Sequence, residues 1–202
     1  MTPSLLEFTL TSLLIELTPG PNMAYLAALS LAEGRRVGLA AVAGVALGLA
    51  IIGALAVLGL AAVLEATPWA YQLLRYGGAL FLFYLAWEGW KGADDDEMES
   101  MGRRAAFGRA LLTNLLNPKA ALFYVAVLPL FLPREGGNLV LPSLALAAIY
   151  VAVATLVHAA IVLFADALRP YLVSGPHERL VRRILSASLA LVALWFFVGS
   201  SR

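Results

Sequence analysis

The stretch "LIELTPGPNMA", Leu14 to Ala24, places a carboxylate, two prolines and a glycine inside an otherwise apolar run. Proline removes a backbone donor and crowds the preceding turn, so a helix running through this stretch must break. In hydrocarbon the freed carbonyls and amides have no partner, and such a break survives only where it lines protein or water. Its meaning therefore depends on whether the chain lies in a bilayer. Of 202 residues, 61% are hydrophobic and only 13% charged. The mean hydropathy is +0.85, too apolar for an ordinary soluble domain of this size.

Spanning a bilayer takes roughly 20 apolar residues, and six runs qualify: about 4–31 (interrupted), 38–64, 69–90, 108–132 (interrupted), 141–168 and 183–199. These predict an all-α integral membrane protein of six transmembrane helices in a single membrane domain, residues 1–202. Met1 to Glu7 holds no Lys or Arg, unlike the basic start of a secretory leader, so the first span is expected to stay in place. The absence of Cys excludes thiol chemistry, Fe–S clusters and a dithiol relay. No cofactor and no nucleic-acid partner are expected.

Basic residues near span ends resist translocation. Taking alternate loops together, one side collects Arg35, Arg36, Lys91, Arg103, Arg104, Arg109, Arg169, Arg179, Arg182 and Arg183, and the other only Arg75, Arg134 and Arg202. Both termini are thus predicted outside the cytoplasm of a bacterial-type inner membrane. The connector 92–107, with its acidic run at Asp94 to Glu97, reads as a solvated cytoplasmic loop, since three adjacent Asp share no face of a regular element.

The second interrupted run repeats the first. Aligning "GPNMAYLAALSL" from Gly20 with "NPKAALFYVAVLPL" from Asn117 matches Gly20 with Asn117, Pro21 with Pro118 and Asn22 with Lys119. Each broken span precedes two unbroken ones, giving repeat one at about 1–91 and repeat two at about 108–202. An odd number of spans per half makes the halves two inverted three-helix repeats, with helices 1 and 4 broken at Pro motifs. Matched interruptions of this kind point to a transporter's central site.

Thr18-Pro19 and Asn117-Pro118 read as a capping residue followed by Pro in the first turn of a new helix. Half-helix N-termini suit a carboxylate, and the carbonyls ending the half-helix near Glu16 suit an ammonium. A small zwitterion matches both. The candidate binding residues are Pro19, Gly20, Pro21, Asn22, Asn114, Asn117, Pro118 and Lys119.

Glu16 lies roughly 18 Å into its span at 1.5 Å per residue, near the bilayer centre, where an ionisable group is expensive and functional. A negative charge at a helix C-terminus is also disfavoured, which makes Glu16 a candidate proton carrier. Lys119 sits beside the positive end of a half-helix, an arrangement that calls for an anion, either Glu16 or a substrate carboxylate. His158, inside span five, is a second proton-coupling candidate, with hydrogen-bonded packing as its alternative. Asp166 can reach Arg169, and Glu88 can reach Lys91, each at i+3. Ala40, Gly44 and Gly48 recur every four residues, which suits either internal packing or a homodimer seam. Trp69, Trp87, Trp90 and Trp195, with Tyr71 and Tyr84, mostly fall near span ends, where an interfacial belt is expected.

These residues resemble the LysE/RhtB amino-acid exporters. The likeness rests on "LTPGPNMAYLAALSLAEGRRVGLAAVAGVALG" (Leu17 to Gly48), "GGALFLFYLAWEGW" (Gly77 to Trp90) and "FGRALLTNLLNPKAALFYVAVLPLF" (Phe107 to Phe131). The resemblance implies a secondary transporter of the inner membrane that expels amino acids or small derivatives by proton antiport. Pro19, Gly20, Pro21, Asn117, Pro118 and Lys119 occupy the family's motif positions; Glu16 does not, and its role rests on the physical argument. Leu130 stands where relatives often carry Gln, which puts a polar contact there in doubt. The rivals are a divalent metal exporter and an intramembrane enzyme. Metals want clustered carboxylates, imidazoles or thiolates. A hydrolytic site needs paired Asp or a Ser with a base, which Asp166, Ser12 and Ser30 lack in sequence.

Overall fold

The computed structural model describes residues 5–60, 68–92, 101–132, 139–172 and 178–199, and no strand occurs among them. The acidic run Asp94 to Glu97, Arg134 and Arg202 lie outside these residues, as do the side chains of Trp69, Tyr71, Arg75 and Arg182. The first run divides into α1 (Leu5–Leu17) and α2 (Pro21–Glu33). α3 (Arg35–Leu55) continues through a π turn, Ala56–Leu60, and α4 is Pro68–Gly92. α5 (Arg103–Leu115) and α6 (Pro118–Leu122) make up the second broken run, and α6 continues through a π turn to Val127 and a 3₁₀ turn to Phe131. The last two helices are α7 (Val140–Leu172) and α8 (Glu178–Gly199).

Two helices are individually long and apolar enough to cross a bilayer, Arg35–Leu58 and Val140–Leu172. The pair α5 and α6, bent by 51° at its break, forms a third candidate span. Leu58, Leu141, Leu156 and Phe164 lie exposed on these long helices, as side chains facing lipid do. Trp87, Trp90, Trp195 and Tyr84 are likewise exposed.

α3 and α7 pack together at the centre. α5 lies along α3, α1 and α2 lie along α7, and α4 pairs with α8. The close approach of α3 and α5 is made by glycine: a Cβ on Gly44 would stand 2.2 Å from the Phe107 carbonyl oxygen, and one on Gly48 2.7 Å from Asn114 Nδ2. The small-residue stripe therefore serves packing inside the chain, the first of the two alternatives. Gly78 on α4 does the same for the second break, where a Cβ would stand 2.4 Å from the Leu116 carbonyl oxygen.

The turn between α2 and α3 hinges on Gly34, whose φ of 84° is the left-handed region that glycine adopts without steric cost. α7 holds this turn from both sides. Asp166 Oδ1 accepts from the Arg35 amide at 2.9 Å, at the positive end of α3. Arg169 donates to the Leu31 and Ala32 carbonyls, each at 3.1 Å, at the negative end of α2. The expected Asp166–Arg169 pair is thus corrected: each charge meets the helix end of opposite sign rather than its neighbour. The Glu88–Lys91 pair is corrected too. Glu88 accepts a bidentate pair of bonds from Arg109 at 2.6 and 2.8 Å, whose planar fork matches a carboxylate better than an ammonium does. Lys91 lies over the Trp87 ring, 5.0 Å from its centroid.

Gly44→Ala is expected to destabilise the fold by at least about 1–3 kcal/mol, because the methyl meets backbone rather than a movable side chain. Gly108→Ala, whose methyl meets nothing within 4 Å, should be neutral or stabilising. Thermal unfolding of the two variants in detergent separates these outcomes, and equal midpoints would refute the close packing of α3 on α5.

Candidate functional site

The first break restarts as a helix at Pro21, the first-turn residue of α2, with Gly20 in extended conformation as its cap (φ −163°, ψ 176°). Gly20 offers no side chain to the first amides of α2. The expected cap at Thr18 is corrected: its Oγ1 donates back to the Leu14 carbonyl at 3.2 Å, so Thr18 closes α1 rather than opening α2. Pro21 has the fixed φ that a first helical turn needs, which sets the restart two residues later than Thr18-Pro19 suggests. Pro19 itself lies exposed. The second break follows expectation, with Pro118 opening α6 and Asn117 Oδ1 accepting from the Lys119 amide at 3.0 Å.

Tertiary packing lays the two breaks against each other. Lys119 Nζ donates to the Thr18 carbonyl at 2.8 Å, so the ammonium answers a backbone oxygen left free at the end of α1. Gly20 lies under the same side chain, its Cβ position 3.5 Å from Lys119 Cδ. Glu16 is 4% exposed and has two other partners. The Tyr150 hydroxyl donates to Glu16 Oε1 at 2.6 Å, and His158 Nε2 stands 3.4 Å from Glu16 Oε2. The carboxylate is thus held from α7 while the cation is held from α1.

Asn22 and Asn114 make a buried hydrogen bond from α2 to α5 at 2.7 Å. Each keeps one amide atom without a partner, Asn22 Oδ1 and Asn114 Nδ2, and exchanging the oxygen and nitrogen of both amides leaves the same count. Buried polar atoms are normally satisfied, so this pair has unused hydrogen-bonding capacity beside the breaks.

Glu16, Gly20, Asn22, Asn117, Lys119, Tyr150 and His158 line one small cavity with about 10 Å³ of free space, room for about one water. Asn114 stands just behind Asn22, and Pro21 and Pro118 are buried as helix-opening residues rather than as lining. Toward Phe8 and Phe131 the cavity ends at an aromatic stack. Phe123 lies flat on Tyr150, centroids 3.5 Å apart, Tyr124 meets Tyr150 edge-on at 5.4 Å, and Phe8 meets Phe123 at 5.9 Å. The Tyr124 hydroxyl donates to the Leu49 carbonyl at 2.9 Å, tying α6 to α3. Leu130 is exposed and does not line the cavity, so its lack of polarity does not bear on it.

Tyr150 is the residue that sequence reasoning missed. The available signal was its position two turns before His158 on one apolar run, a spacing that puts both side chains on one face.

Residues 13–200 match the LysE type translocator family. Among individual proteins, the chain is 36% identical over 128 residues to an uncharacterized membrane protein of Pseudomonas aeruginosa, covering 59% of each. It is 31% identical over 129 residues to the homoserine/homoserine lactone efflux protein of Salmonella typhimurium, covering 62% of this chain and 63% of that one. The matched stretch thus spans less than two thirds of either relative. No solved structure matches. With the family match running from within α1 to the end of α8, the chain belongs to the LysE type translocator family.

Proposed function

We propose that this chain is a secondary active transporter that exports amino acids or small amino-acid derivatives from the cytoplasm by proton antiport. The observation that carries the reading is the meeting of the two breaks in one cavity, with a carboxylate, an ammonium and an unsatisfied amide pair around it. An α-amino acid presents the complementary charges. Its carboxylate would take the Lys119 ammonium and the uncapped amides of α2, and its ammonium would replace Lys119 at the Thr18 carbonyl and approach Glu16. The efflux activity in the name of the Salmonella relative supports this substrate class.

The proton-coupling part of this reading is supported by Glu16 and His158 sharing the cavity with Lys119. Protonation of Glu16 removes the charge that holds the substrate ammonium; the His158 imidazole offers the proton a neighbouring acceptor, while the Tyr150 hydroxyl donates to the carboxylate form. Alternating access about two inverted repeats accounts for the packing: α3 and α7 pack on one another, α4 pairs with α8, and each of α3 and α7 carries the first half-helix of the other repeat. The clustering of Arg35, Arg36, Arg103, Arg104 and Arg169 at one end supports a cytoplasmic location for that end of an inner-membrane protein. The metal alternative gains no support, since no three His, Cys, Asp or Glu cluster among the described residues.

Counterflow in proteoliposomes tests the reading: preloaded unlabelled amino acids should drive uptake of a labelled one, faster under a pH gradient. No exchange for any amino acid by folded protein would overturn it. Glu16→Gln should weaken exchange, because the substrate ammonium loses its carboxylate, and should abolish what acceleration the gradient gives; gradient-driven export that survives the change would remove Glu16 from the coupling. Lys119→Met should lower exchange about 10- to 100-fold, the worth of a charge-assisted hydrogen bond, with partial recovery in Lys119→Arg. Tyr150→Phe should flatten the pH dependence of export more than it lowers the rate of exchange.

A further inference from the structure

A second cavity, of about 300 Å³, lies between α2, α4, α5 and α8, at the arginine-rich end of the bundle. It matches the low end of the roughly 300–1,000 Å³ usual for small-molecule sites and exceeds the central cavity many times over. Its mouth is at Gly102 and Ala105, both exposed, and its floor is at Tyr25, Leu29, Leu85 and Leu189, all buried. The Asn22–Asn114 bond stands between the two cavities: Tyr25 lies one turn beyond Asn22 on α2, and Arg109 precedes Asn114 on α5.

Two features of this cavity point to a ligand. The Tyr25 hydroxyl is buried at the floor, its residue 4% exposed, and has no hydrogen-bond partner. The Glu88–Arg109 pair lines the wall, partly exposed and bidentate, on a lining that is otherwise apolar except for that hydroxyl, Ser186 and Glu33, whose carboxylate accepts from the Met101 amide. We propose that this cavity is a second binding site, where a zwitterion with an aliphatic side chain is loaded before it reaches the breaks. The assignment of the zwitterion as cargo rests on the exporter reading above.

The chemistry selects that class. A free carboxylate has the same fork as Glu88 and can replace it on Arg109, and the Glu88 carboxylate so released accepts the ligand's ammonium. Two ion pairs then stand where one stood, and no charge is stranded. A simple anion that displaced Glu88, or a simple cation that displaced Arg109, would exchange one charge-assisted pair for another with no gain and leave the displaced group without its bidentate partner, and the other carboxylate of the lining, Glu33, is already engaged by the Met101 amide. Leu29, Leu85 and Leu189 offer the surface for an aliphatic side chain.

The chain has no cysteine, so a single introduced thiol reports on this cavity alone. In full-length protein, alkylation of Ala32→Cys on the cavity wall by N-ethylmaleimide is followed with and without L-leucine, with Ala28→Cys as an independent second position. Saturating L-leucine is expected to slow alkylation about tenfold, by mass action on an occupied site. Isovalerate and isopentylamine, which carry one charge each, are expected not to. Protection should persist when Lys119→Met is added and vanish when Glu88→Gln and Arg109→Gln are combined. Absence of protection at both positions overturns the proposal, as does its loss with Lys119→Met or equal protection by the single-charge analogues. Counterflow with the same preparations tells the two failures apart: transport without protection sinks only the second site, and protection without transport sinks only the exporter reading.

Discussion

The Lys119 ammonium on the Thr18 carbonyl is the contact on which the centre of this protein depends. Each helix break exposes backbone groups that neither lipid nor a neighbouring helix would satisfy unaided. The structure resolves this by setting the breaks against each other, so that a cation from one answers an oxygen of the other. What remains unanswered, the first amides of α2 and half of the Asn22–Asn114 pair, is what a small polar molecule can use.

Bringing the breaks together requires the helices around them to approach closely. Gly44 and Gly48 let α5 lie on α3, which places Asn114 and Asn117 at the cavity, and Gly78 lets α4 close over the Leu116 carbonyl. At the far end of the same helices, Asp166 and Arg169 cap α3 and α2 across the Gly34 turn. The packing is therefore anchored by glycine contacts near the centre and by charge against helix ends at the arginine-rich face. The aromatic stack of Phe8, Phe123, Tyr124 and Tyr150 covers the other side of the cavity, so the two sides of the centre differ: one is sealed by rings, and the other leads past two asparagines to an open cavity.

The two breaks and the ionisable residues beside them, Glu16 and Lys119, were legible because each depends on local chemistry. Proline ends a helix wherever it stands, and an ionisable side chain in an apolar run is conspicuous without knowing its neighbours. The same local reasoning went astray where two solutions compete within a few residues. Thr18 and Gly20 both could cap α2, and Asp166 and Glu88 both had a basic residue at i+3, yet a helix end and the Arg109 fork proved the better partners.

Composition and patterning thus determined the membrane class, the two interruptions and the residue types at the centre, since these follow from backbone hydrogen bonding and hydropathy along the chain. Only the tertiary structure decided who meets whom: Tyr150 and His158 rather than Lys119 on Glu16, Thr18 on Lys119, Arg109 on Glu88, and a second cavity walled by four helices. Those partners lie 21 to 142 positions apart, with Glu88 and Arg109 the nearest and His158 and Glu16 the farthest. No periodicity reports such distances, because they are set by which helix faces pack, and that is decided by all the helices at once.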